Sequence, residues 1–192
     1  MKLKFLMSAA LLIAFAATAQ AQRVRDPSET IELFQSIPQG APYFGSAYGY
    51  AVWPRIARGG LGVGASRGRG QVFAGGQLMG YSRLVEVSIG LQAGGQTYRQ
   101  IIFFENREAF DQFTSGGFEF DASASAVAVT ASAQAGAGTQ GASASAGAGN
   151  PNTASAGGYH NGMQVFTMAE GGLMYKATIA GQRYNFEPAE AE

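Results

Sequence analysis

Over 61–65 and again over 85–93 apolar residues recur at every second position, and a run of glycine-punctuated residues lies between the two stretches. A period of two collects such residues on one face of a pleated strand, whereas a helix scatters them around its axis. Leu61, Val63 and Ala65 alternate with glycines. Val85, Val87, Ile89, Leu91 and Ala93 alternate with Glu86, Ser88, Gly90 and Gln92, which reads as a half-buried strand. Gly94-Gly95 reads as a hairpin turn into Thr97–Glu105, where Ile101–Phe104 is apolar on both faces and expected to be buried. Arg67-Gly-Arg69-Gly70 reads as the tip joining strands 61–66 and 71–74. Two more strands fit 163–169 and 173–180, joined around Gly171-Gly172.

The period lengthens in two places. Over 27–37, Ile31, Phe34 and Ile37, with Leu33 beside them, form a one-sided stripe behind Asp26 as a cap and Pro27 in the first turn. That stripe faces either the core or a membrane. Pro42-Tyr43-Phe44 starts a second short turn. Asn106 caps a helix over 107–113, with Ala109, Phe110 and Phe113 on one side and Gly116-Gly117 ending it. The expected class is α+β: a predominantly antiparallel sheet, sandwich or half-barrel, with an N-terminal amphipathic helix and a short mid-chain helix.

Lys2 and Lys4, the apolar run Phe5–Ala17 and the exit Thr18-Ala19-Gln20-Ala21 have the parts of a secretory signal peptide, so residues 1–21 are expected to be removed. With no cysteine in the chain, neither a lipid-acceptor cysteine nor a disulfide is available. Residues 22–186 make one domain, large enough for a hydrophobic core without covalent staples. Within it, alternating alanines from Ala122 slip register by one at Thr130, which implies a turn or bulge. The segment 131–157 is Ala/Ser/Gly-rich with little to bury, a loop or weak edge hairpin. Residues 187–192 form an acidic tail, expected to fray.

The whole chain carries 13 basic and 13 acidic residues, yet between Ala47 and Phe104 six arginines (Arg55, Arg58, Arg67, Arg69, Arg83, Arg99) face one acid, Glu86, a local balance of 6 − 1 = +5. Planar guanidinium forks beside aromatics suit phosphate-bearing partners. Trp53 serves either as an interfacial anchor or in the core.

Enzymatic motifs do not hold up. Gly60-x-Gly62-x-x-Ala65 has the spacing of a dinucleotide fingerprint, but the following Ser66-Arg-Gly-Arg-Gly70 cannot open the helix whose amides would hold a pyrophosphate. No Gly-Lys-Ser/Thr follows a glycine cluster. His160 is the only histidine and lies in a turn, which leaves a hydrolase triad or a zinc site without its parts. No catalytic residue, metal or cofactor is expected.

Taken together, Gly49-Tyr-Ala-Val-Trp-Pro-Arg-Ile-Ala-Arg-Gly-Gly-Leu-Gly-Val-Gly64 resembles the opening signature of the SYLF family, lipid-binding proteins also catalogued as an actin-patch-type domain. The similarity continues through Arg69-Gly-Gln-Val-Phe73, Gly80-Tyr-Ser82, Gly90-Leu-Gln-Ala-Gly-Gly-Gln96, Ile101–Phe104 and Asn106-Arg-Glu-Ala-Phe110. It extends to Phe118-Glu-Phe-Asp-Ala-Ser-Ala-Ser125 and Gly171-Gly-Leu-Met174. Arg58 stands where the family commonly has lysine, and Trp53 where phenylalanine is common. The resemblance implies a compact sheet-rich domain with flanking helices. In eukaryotic members it also implies phosphoinositide binding through an N-terminal amphipathic segment and a basic surface.

The resulting expectation is an exported, peripheral lipid-binding domain of the periplasm or outer envelope. It would dock on anionic phospholipid through Arg55, Arg58, Arg67 and Arg69, with Trp53 and Tyr48 inserting shallowly. Neither nucleic acid nor, for an exported chain, actin is expected as a partner. Two alternatives remain: a small outer-membrane β-barrel, weakened by alternating runs shorter than the roughly 9–11 residues that span a bilayer, and an envelope scaffold that self-associates through the Ala/Ser/Gly segment.

Overall fold

A computed structural model describes residues 25–120, 126–129, 158–170 and 181–189. The expected signal peptide, the Ala/Ser/Gly segment 131–157, the strand at 173–180 and the final residues 190–192 lie outside the described residues. Two short helices come first, α1 (Ser28–Gln35) and α2 (Ala41–Ser46). Two long strands follow, β1 (Gly49–Ala74) and β2 (Gln77–Phe104), then helix α3 (Arg107–Thr114). Strands β3 (Phe118–Glu119), β4 (Val127–Val129), β5 (Met163–Glu170) and β6 (Gln182–Pro188) complete the described elements.

The sheet is built around β2. Its first part pairs with β6 and its last part with β5, while β1 runs along its other side from Gly49 opposite Phe104 to Ala74 opposite Gln77. β3 continues the sheet beyond β6, and β4 beyond β5; pairing is antiparallel except between β4 and β5. The class is the expected one, α+β with a curled, half-barrel sheet.

Curling depends on the glycines. β1 doubles back, bringing its limb 63–74 against its limb 49–60. A Cβ on Gly70 would stand 2.5 Å from the Val52 carbonyl oxygen and 2.8 Å from the Trp53 indole nitrogen; one on Gly49 would stand 2.4 Å from the Phe73 carbonyl oxygen. No side chain fits at either place. A bulge helps the bend: Pro54 and Arg55 together oppose Arg99, in the gap between Trp53 opposite Gln100 and Ile56 opposite Tyr98. The missing N–H of Pro54 costs least at such a break in the ladder.

Apolar clusters fill both sides of the sheet. Inside the curl, Trp53, Ile56, Leu84, Ile102, Phe104 and Tyr184 pack with Phe110 and Phe113 of α3. On the outer side, α1, α2 and the turn between them lay Phe34, Ile37, Tyr43 and Phe44 over Val52, Ile101, Phe103, Phe166 and Met168. The apolar stripe of α1 therefore faces the core, which settles the alternative the sequence left open. Asn106 caps α3 as expected, its side chain accepting from the Ala109 amide at 2.9 Å.

Three boundaries differ from expectation. Arg67-Gly-Arg69 lies mid-strand, and the turn falls at Gly75-Gly76, both at positive φ (56° and 79°). Gly94-Gly95 sits within β2. Glu187 and Pro188 belong to β6, with Glu187 opposite Tyr81, so the expected acidic tail begins inside the sheet.

Candidate functional site

The outward face of β1–β2–β6 carries the chemistry. Register places its side chains in rows: Ala65 with Val87; Arg67 with Val85 and Arg183; Arg69 with Arg83 and Asn185; Gln71 with Tyr81 and Glu187. Val63 and Val87 are 60% and 68% exposed, and Val85 43%, far more than a strand with one apolar side normally allows. Between them Glu86 is 3% exposed and Ser66 1%. The strand around Val85 is thus inverted: valines toward solvent, carboxylate inward.

Inversion is possible because the inner side holds partners for a charge. Glu86 Oε2 accepts from the Ser66 hydroxyl at 3.0 Å and from Gln182 Nε2 at 3.2 Å, and Glu86 Oε1 lies 3.3 Å from an Arg58 guanidinium nitrogen. Gln182 also donates to the Tyr98 hydroxyl at 3.1 Å and accepts from the Tyr184 hydroxyl and, at 3.2 Å, from Gln100. A buried carboxylate is tolerable only when paired and hydrogen-bonded in this way. Burial, reinforced by the neighbouring Glu86 carboxylate, pushes the Tyr98 phenol well above its ordinary range. Burial does the same to Tyr184.

The six residues singled out from the sequence do not converge. Trp53 is 0% exposed and packs edge-on to Phe113 and Tyr184, which removes it as a membrane anchor. Arg58 points inward to Glu86, which removes it from a headgroup surface. Arg55 is exposed, but on the first limb of β1, near Glu170. Tyr48 is 41% exposed and touches Phe110 of α3. Only Arg67 and Arg69 lie together on the second limb, joined by Arg83, which the charge count had included but the site choice had not, and by Arg183, which lay outside that count.

Acids from distant parts of the chain temper the +5 of the 47–104 stretch. Arg83 pairs with Glu187 at 3.0 Å, and Arg183, outside that stretch, pairs with Glu119 at 2.7 Å. Arg99 bridges Glu29 of α1 at 2.8 Å and Glu170 of β5 at 2.9 Å, pinning α1 to the sheet. Exposed pairs of this kind are worth a fraction of a kcal/mol, so an anion competes for Arg83 and Arg183 at little cost. Among the described residues no three His, Cys, Asp or Glu side chains gather as metal ligands, and no helix is long and apolar enough to cross a membrane.

Residues 85–188 match the model of the family described as Ysc84, Las17-binding protein actin regulator. The chain is also similar to Beta cell expansion factor A of Aeromonas veronii, 27% identical over 161 residues, which is 80% of this chain and 51% of that protein. It therefore spans about half the length of this curated relative.

Proposed function

The chain belongs to the Ysc84 (SYLF) family, and from that premise we propose that it is an exported domain that docks on anionic lipid surfaces through the outward face of β1–β2–β6. One observation carries the reading: an inverted strand presents Val85 to solvent in the row of Arg67 and Arg183, with the exposed Val87 one row to one side and Arg69 and Arg83 one row to the other. Water penalises the first feature, and the four arginines in neighbouring rows are offset only in part by the exposed acids Glu187 and Glu119. An anionic interface relieves both, by accepting the apolar rows and neutralising the cations. The actin link in the family's description is not carried over, because an exported chain does not meet actin.

Cosedimentation tests the proposal. Each arginine near an anionic surface contributes about 1 kcal/mol, so R67Q/R69Q weakens binding roughly 30-fold. Wild-type protein is expected to pellet with phosphatidylglycerol-containing vesicles at low salt and to stay in solution with phosphatidylcholine alone. Equal behaviour toward the two lipids, or full binding by R67Q/R69Q, refutes it.

A further inference from the structure

Resting on that docking reading, we infer that the corner of the sheet formed by Val63, Ala65 and Val87 enters the acyl layer, while the arginine rows behind it, the first of which also holds Val85, stop at the headgroups. Isolated exposed valines are ordinary on protein surfaces. Here they occupy adjacent rows of one paired sheet, and the same strands turn Ser66, Ser82 and Glu86 inward, at 1%, 1% and 3% exposure. At this corner the strands are apolar outside and polar inside, the polarity of a strand that faces lipid, whereas farther along Leu84 turns inward and Arg83 outward.

The gradation along the face gives the orientation. Val63 and the Ala65–Val87 row contain no charged side chain. Arginines begin in the next row, at Arg67 and Arg183, and continue with Arg69 and Arg83. The acids come last or at the margin: Glu187 lies in the Tyr81 row, and Glu119 is on β3, beyond Arg183. Rows on one face are two residues apart along a strand, about 6.6 Å. Insertion by one to two rows thus matches the roughly 5–10 Å reached by interfacial apolar surfaces. At that depth the guanidinium groups of Arg67 and Arg69 meet phosphate while Glu187 stays in water, and Glu119, at the far edge of the Arg67 row, remains paired with Arg183. Aliphatic contact makes part of the attachment insensitive to salt, unlike purely electrostatic docking.

Because the chain has no cysteine, single labels are clean. V87C and, on the solvent side of α3, Q112C are each labelled with an environment-sensitive fluorophore and mixed with phosphatidylcholine/phosphatidylglycerol vesicles, with and without acyl-chain spin-labelled lipid. The inference expects a blue shift and spin-label quenching at 87 and neither at 112. Unlabelled V85Q/V87Q, altered only at exposed positions, is expected to lose on the order of tenfold in binding at high salt. If the wild type pellets but the label at 87 stays aqueous and unquenched, insertion is wrong and surface docking stands. If the label at 112 is quenched instead, the orientation is wrong. If the wild type does not pellet at low salt, the docking reading fails first and the inference with it.

Discussion

Arg58 separates a structural arginine from those proposed to contact lipid. Its guanidinium lies 3.3 Å from Glu86, with the two side chains 13% and 3% exposed. Replacing Arg58 by glutamine leaves the carboxylate buried without its counter-charge. Breaking one side of a buried pair costs about 3–5 kcal/mol. The lower end applies here, since Ser66 and Gln182 still donate to Glu86. In a domain of this size that corresponds to a fall in Tm of roughly 6–12 °C. Circular dichroism melts at neutral pH on R58Q, E86Q and the double variant measure it. R58Q is expected to be strongly destabilised, and much of its cost is expected to vanish in the E86Q background, where no buried anion is left behind. Folded R58Q should pellet with anionic vesicles as the wild type does. A Tm within about 2 °C of wild type would refute the buried-pair reasoning, as would a selective loss of lipid binding at unchanged stability.

Other consequences can be checked on the same protein. Trp53, fully buried, should emit at short wavelength, resist iodide quenching, and keep its spectrum when vesicles are added; a lipid-induced shift would contradict its placement. Gly70→Ala forces a methyl group against the Val52 carbonyl and the Trp53 ring, an overpacking expected to cost about 1–3 kcal/mol in urea unfolding, whereas Gly45→Ala, in open space, should be nearly silent. Burial alone would raise the Glu170 carboxyl, but Arg99, with Thr97, outweighs it and holds the pKa below the ordinary value. A depressed carboxylate contributes stability above its unfolded pKa and loses it as pH falls through the folded one. Acidification from neutral pH should therefore destabilise the wild type more than E170Q; equal acid sensitivity would contradict the pair.

Local structure was readable where its causes are local. The Asn106 cap, the stripe on α1, the stop at Gly116-Gly117 and the double-sided burial of Ile101–Phe104 each depend on neighbours a few residues apart, and each is found. Alternation over Val85–Val87 gave the period but not the side. Ordinary burial would turn the valines inward; what turns them outward is Glu86 finding Arg58, 28 residues earlier, and Gln182, 96 residues later. Local spacing does not encode those partners. Charge counting failed for a related reason, because Glu29, Glu119, Glu170 and Glu187 reach the arginines only through the fold. Glycines around Arg67 and Arg69 looked like turn residues, yet Gly68 and Gly70 serve a close backbone approach within a continuous strand. Trp53 was ambiguous from sequence, and the inward side of β1 decides it.

Two charge-matched substitutions test the central assignment. Val87→Glu adds one negative charge in the proposed contact face, and Gln112→Glu adds the same charge on exposed α3. Their affinities for anionic vesicles, measured by cosedimentation at low salt, should differ by tenfold or more, with Val87→Glu nearly unbound and Gln112→Glu close to wild type. Equal affinities, or a greater loss at 112, would show that the inverted face of β2 is not the surface that meets lipid.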